Sequence, residues 1–132
     1  QEGDILKNGV VYIAPGGKHM RVVKKGTDYC IKLSDEPAID GLRPCANVMY
    51  ESLENCQYDE ITCVVLTGMG ADGTKGIQGL AAHHKKLHVI AQDADTCVVY
   101  GMPKAIAQTG LVDEVVPLGS VAETITKNVG VS

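Results

Sequence analysis

No run of lysine or arginine occurs anywhere in this chain, and the charge balance is acidic: twelve basic side chains against sixteen acidic ones, a formal net charge of −4. Nucleic acid is held chiefly through its phosphates and calls for a basic patch, so it is excluded as the main partner. No apolar stretch approaches the ~18 residues of a membrane span, which argues against membrane insertion. The opening residues Gln1-Glu2-Gly3-Asp4 are acidic and polar, unlike a secretory leader. There is no Cys-x-x-Cys pair, and the five cysteines (Cys30, Cys45, Cys56, Cys63, Cys97) are odd in number. Neither a disulfide framework nor a zinc site is indicated, and the expectation is a reduced, cytoplasmic chain. The chain does not start with methionine but with Gln1, so the expectation is that sequence upstream belongs to the same protein. Internal repeats and low-complexity linkers are also missing.

What remains is a composition of 45% hydrophobic and 21% charged residues over 132 positions. That suits one soluble domain burying roughly two-thirds of its unfolded surface. Val10 to Ala14 is a short apolar run stopped by Pro15-Gly16-Gly17, expected to be a strand and a turn. His19–Val23 and Tyr29–Leu33, separated by a Lys-Gly-Thr-Asp turn, predict a β-hairpin. Ser34 to Arg43 reads as a loop, and Pro44 stands where a helix can begin, with Val48, Leu53 and Cys56 on its stripe.

The strongest pattern is Ile61-Thr62-Cys63-Val64-Val65-Leu66, a β-branched run of the kind found in strands covered on both faces. It leads into Gly68-Met69-Gly70-Ala71-Asp72-Gly73 and then a helix predicted over Thr74–Lys85, with Ile77, Leu80, Ala81 and His84 facing inward. A second buried strand is predicted at Leu87–Ala91, a helix from Pro103 to Gln108, a strand at Val112–Val116 and a C-terminal helix at Val121–Val129, with Ser120 as its cap. Alternating strands and helices predict an α/β, doubly wound and mainly parallel sheet with a small antiparallel hairpin.

Gly68 to Gly73 fits G-x-G-x-x-G, and Asp93 follows 25 positions after Gly68. Dinucleotide binding is therefore one reading. A carboxylate at Asp72 opposes it, because pyrophosphate would occupy the same helix N-terminus. Asp72 equally suits the N-cap of the following helix, worth ~1 kcal/mol, or a catalytic carboxylate. Spacing does not separate the three.

Leu66-Thr67-Gly68-Met69-Gly70-Ala71-Asp72-Gly73, Ile90-Ala91-Gln92-Asp93 and Cys97-Val98-Val99-Tyr100-Gly101-Met102-Pro103 together resemble the chemotaxis protein-glutamate methylesterases, the CheB family. Val11 to Met20 and Arg43-Pro44 extend the resemblance along the whole chain. It implies a Ser-His-Asp triad that hydrolyses glutamyl methyl esters on membrane chemoreceptors, with glutamine deamidation in some members. The aspartate it implies is Asp72, which would orient the histidine through its Nδ1–H. Met69, with Gly68 and Gly70, is implied to line the cleft and to offer an oxyanion donor, while His19 and Met102 would stand at its rim. Departures from the family occur at Leu42, where histidine is common, and at Asn47, where aspartate is common.

The resemblance also implies that the nucleophilic serine and the histidine lie upstream. Ser34, Ser52, Ser120 and Ser132 lack the glycine-flanked turn that exposes a nucleophile. Cys45 follows Arg43-Pro44 at a helix start, where a cation and the dipole lower a thiol pKa, yet no histidine is near in sequence, and a packed inert thiol is the preferred reading. His83, His84 and His88 have no metal-ligand spacing and read as surface or packed residues, and Lys85-Lys86 as a solvated helix end.

The expectation is thus a C-terminal portion of a methylesterase catalytic domain spanning residues 1–132, needing no cofactor or metal. Alone it would be inactive and would associate with itself or with an upstream fragment; a receiver domain in the parent is implied by the resemblance. Two rivals are a dinucleotide-binding domain and a non-catalytic module docking on receptors or signalling proteins.

Overall fold

Two apolar clusters organise the computed structural model, which describes residues 1–83 and 86–130. The smaller cluster joins Val22, Ile31 and Cys56. Val22 and Ile31 come from strands β1 (His19–Lys25) and β2 (Asp28–Ser34), an antiparallel hairpin in which Lys25 pairs with Asp28. Gly26 closes the turn at φ 64°, a left-handed conformation that costs glycine little.

The larger cluster contains Cys63, Val65, Ile77, Leu80, Val89, Ala91 and Ile106. These residues come from parallel strands β3 (Ile61–Val65) and β4 (Leu87–Gln92) and from helices α2 (Thr74–His83) and α3 (Gly101–Ala107). Strand β5 (Glu114–Val116) completes a sheet of order β3-β4-β5. Successive strand residues face opposite ways, so Val89 and Ala91 pack on α2 and α3 while His88 and Ile90 face α4 (Val121–Val129). Helices therefore cover both faces. Ile77, Leu80 and Ile106 are fully buried, each side chain contributing about 1.5–3 kcal/mol.

Helix α1 (Ala46–Leu53) lies against β1 and α2, and Leu53 touches both clusters, tying the hairpin to the sheet. The α/β class, the parallel sheet and the hairpin agree with the sequence reading. Helix α4 has the predicted bounds and ends at Gly130, φ 74°, a left-handed C-cap.

Other details differ. Val10–Ala14 forms no strand: Val11 and Ile13 are 84% and 85% exposed, and no ladder partner lies beside them among the described residues. An apolar run supplies side chains for a strand but not the neighbour that takes its backbone bonds. Helix α1 starts two residues after Pro44 because Cys45 is extended (φ −116°, ψ 126°), and it stops before Cys56. Ser34 ends β2 rather than entering a loop. Ser120 precedes α4 but makes no side-chain cap; its carbonyl accepts the Thr124 hydroxyl at 2.8 Å. Helix α3 begins at Gly101, two residues before Pro103, and β5 begins at Glu114, two after Val112. The predicted inward face at His84, the Lys85 half of the lysine pair and Ser132 lie outside the described residues.

Candidate active site

At the carboxyl end of β3 the chain leaves the sheet, the place where open α/β folds hold their ligands. Thr67 is tied down first. Its N–H donates to Gln92 Oε1 at 2.8 Å, and its hydroxyl donates to the Val99 carbonyl (3.0 Å) while accepting the Val99 N–H (2.8 Å). Gln92 is buried at the end of β4, and its Nε2 donates to the Thr96 carbonyl and hydroxyl at 2.9 and 3.2 Å. Asp93 accepts the Thr96 N–H and hydroxyl at 3.0 and 2.6 Å, so it braces this loop. In the sequence Thr67 and Gln92 stand only as parts of motifs; the legible signal is Gln92, an amide closing the apolar run Val89-Ile90-Ala91.

The start of α3 presses against the glycine loop. Met102 N–H donates to the Gly68 carbonyl at 2.8 Å, and the Met102 side chain fills the space where a Gly68 side chain would go. Met102 is thus half-buried behind the loop and packs on the larger cluster. Gly101 stands at the first position of α3. Its constraint is close approach, since a Cβ there would stand 2.8 Å from Gly68 O and 2.9 Å from Gly70 N.

Asp72 lies between Gly70 (φ 85°) and Gly73 (φ 95°). It does not cap the helix that follows it. Its Oδ2 accepts the Ala46 N–H at 2.7 Å, and its Oδ1 accepts the Asn47 N–H at 3.1 Å and the Cys45 thiol at 3.2 Å. The carboxylate therefore caps α1, facing that helix's free amides and the positive end of its dipole. The Asn47 side chain returns the service: its Oδ1 accepts the Gly73 and Gly76 N–H groups at 3.0 and 2.8 Å, at the start of α2. Gly76 leaves room for this, because a Cβ there would meet the Asn47 Cα at 3.1 Å and the Tyr50 side chain closer still. Amides that a pyrophosphate would need are thereby taken, and Asp93 is committed to Thr96, which counts against the dinucleotide reading.

Cys45 is buried, and burial first, then the hydrogen bond to Asp72, push its thiol pKa up. That is the reverse of an activated nucleophile. Burial also pushes the Cys63 thiol up to about 12.

Asp72 stands between two cavities. One, of about 480 Å³, is bordered by Met69, Gly70, Asp72, Asn47, Leu42 and Lys75 among others. The other, about 250 Å³, lies toward Ala14, Met20, Pro44 and Met49. Met69 is 85% exposed on the rim of the first, and its N–H donates to no described residue. Leu42, at the departure from histidine, presents an apolar wall there.

His19 is not at a rim. It is 1% exposed at the start of β1, its Nε2–H donating to the Pro37 carbonyl at 3.0 Å, and it borders neither cavity beside Asp72. His83 is exposed and donates from Nδ1 to the Gly79 carbonyl at 2.8 Å. His88 is half-buried and donates from Nε2 to Glu114 Oε2 at 2.7 Å. Among the described residues no cluster of histidine, cysteine and carboxylate side chains is placed to hold a metal, and no helix is long and apolar enough to cross a membrane.

The CheB methylesterase family profile matches residues 1–125. The chain belongs to the CheB methylesterase family. A protein-glutamate methylesterase/protein-glutamine glutaminase of Desulfotalea psychrophila is 42% identical over 131 residues, covering 98% of this chain and 35% of that protein. The protein of the same description from Oceanobacillus iheyensis is 44% identical over 126 residues, covering 95% of this chain and 36% of the relative. Among solved structures, the CheB methylesterase catalytic domain of Thermotoga maritima superposes with a TM-score of 0.88 at 33% identity, covering 96% of this chain and 66% of that one. The chain thus spans about a third of the length of these curated CheB relatives and shares the fold of the CheB catalytic domain.

Proposed function

We propose that residues 1–132 are a C-terminal portion of a protein-glutamate methylesterase catalytic domain and contribute its orienting acid, Asp72. The observation that carries the proposal is the Asp72 carboxylate. Both its oxygens are held at the start of α1, it borders a cavity of about 480 Å³, and Met69, whose N–H donates to no described residue, stands on that rim.

In this reading a serine and a histidine come from other parts of the protein. The histidine takes the serine proton as the oxygen attacks the glutamyl methyl ester, and Asp72 accepts the Nδ1–H bond and stabilises the imidazolium. Two amides and a thiol orient the carboxylate, so its remaining lone pair offers the imidazole a defined target. In this reading the oxyanion donor is the Met69 N–H, beside Gly70 on the cavity rim; Gly68 is set apart from that role, its N–H donating to the Val99 carbonyl at 3.0 Å. Methanol leaves, and water then attacks the acyl-serine under the same base. A glutamine side chain would give ammonia by the same route, in keeping with the names of the relatives.

The substrates proposed are methyl-accepting chemoreceptors, with a receiver domain in the full-length protein. A cytoplasmic location belongs to the same reading and is supported by five unpaired cysteines. Catalysis by a triad calls for no cofactor.

The test is methanol release from methylated receptor. The full-length protein is expected to release it, Asp72→Asn to lose on the order of 10⁴-fold in kcat, and the 132-residue chain alone to release none above buffer. Turnover by the isolated chain, or full activity in Asp72→Asn, overturns the proposal. A full-length protein that binds receptor without turnover would instead be a docking module on the same fold.

A further inference from the structure

We infer that Asn47 is a positioning residue for the reaction, acting through Asp72. The inference rests on the catalytic reading of Asp72 given above.

Asp72 sits in a loop whose two flanking glycines, Gly70 and Gly73, hold left-handed backbone. Such a loop has little stiffness of its own. Its position is set from α1, and Asn47 is where the ties converge. The Asn47 backbone N–H donates to Asp72 Oδ1 at 3.1 Å, while its side-chain oxygen accepts from Gly73 at 3.0 Å and Gly76 at 2.8 Å. One residue therefore grips the carboxylate from one side and the amides just after it from the other. The bonds run between segments 25 to 29 positions apart, so they fix α1 against the loop as well as ordering the loop.

Removing the Asn47 side chain leaves the Asp72 carboxylate with all three of its donors, the Ala46 and Asn47 N–H groups and the Cys45 thiol, but frees the backbone after it at Gly73 and Gly76. The carboxylate keeps its bonds to α1, and the loop that carries it loses its second tie to that helix. An error of about 1 Å in the placement of a catalytic group costs on the order of a hundredfold in rate. The side chain acts here only as an acceptor, so a carboxylate at the same length serves the Gly73 and Gly76 amides equally.

The experiment has two arms. In the full-length protein, Asn47→Ala is expected to lower kcat for methanol release roughly ten- to a hundredfold with KM within about twofold, and Asn47→Asp to stay within about threefold of the parent kcat. In the same full-length protein, amide exchange at Gly73 and Gly76 is expected to quicken in Asn47→Ala and to stay at the parent rate in Asn47→Asp. If Asn47→Ala does not fold, Asn47→Ser, whose shorter side chain reaches fewer amides, is expected to show an intermediate kcat; a parent-like kcat in it overturns the inference. Unchanged kcat in Asn47→Ala, equal losses in Ala and Asp variants, or unchanged exchange at the two glycines also overturn it. A full-length protein without methanol release sinks the catalytic reading and Asn47's part in it, while the exchange arm still decides the clamp itself.

Discussion

Gly101 lies flush against Gly68: a Cβ on Gly101 would stand 2.8 Å from the Gly68 carbonyl oxygen, with the Gly70 nitrogen at 2.9 Å beyond it. The start of α3 and the loop after β3 are thus in backbone contact, and the Met102 N–H bond to that same carbonyl holds them together. Loop 68–73 takes its shape from α3 on one side and α1 on the other.

Gly101→Ala is expected to destabilise the chain by about 1–3 kcal/mol, because both obstructing atoms are backbone and cannot rotate away. Gly68→Ala meets only the Met102 side chain, Sδ at 2.5 Å and Cγ at 3.3 Å, which can shift more easily than backbone, and is expected to cost less. Urea unfolding midpoints compare the two; equal effects would contradict the close-approach account.

Asp72→Ala strips α1 of its cap and leaves the Ala46 and Asn47 amides and the Cys45 thiol without that acceptor. A loss of about 1–3 kcal/mol is expected, read as a lowered midpoint of thermal or urea unfolding. Faster amide exchange should appear at Ala46 and Asn47 rather than at Thr74, which separates capping of α1 from capping of α2.

Acid should weaken the docking of α4. Glu114 on β5 accepts from His88 at 2.7 Å and from Asn128 of α4 at 2.9 Å, and these bonds, the His88 one foremost, hold its pKa below the ordinary 4.5. A carboxyl whose pKa is depressed by folding stabilises the fold above its unfolded value, and that contribution fades as pH falls through the folded one. Stability should therefore drop as pH falls below about 4.5, and Glu114→Gln should flatten that limb of the curve of unfolding midpoint against pH. An acid limb of the same slope in the variant would refute the assignment.

The 132-residue chain by itself is expected to self-associate. Among the described residues β3 is an edge strand, and Val11, Ile13 and Val98 stand 84%, 85% and 91% exposed. Unpaired strand edges and exposed apolar side chains favour association. Sedimentation velocity showing a stable monomer with a cooperative melt would count against this.

Local pattern carried much of the fold. The β-branched run at β3, the glycine loop behind it and the apolar spacing of α2 and α4 each fixed an element, because period and propensity act within a few residues. The run at Val10–Ala14 has the same local character yet is no strand, since a strand also needs a neighbour. His19 shows the same limit from the other side: its motif was legible, its burial was not.

The sequence by itself determined that an acid follows a glycine loop at the end of a parallel strand, and that such an acid suits a helix N-terminus. Only the tertiary structure decided which helix. Asp72 passes over the adjacent α2 to cap α1, 25 and 26 positions away, and Asn47 caps α2 in exchange. The reason is physical: capping chemistry belongs to the side chain, but its partner is whichever free amides packing brings within reach, and the approach of α1 to α2 at Gly76 sets that distance.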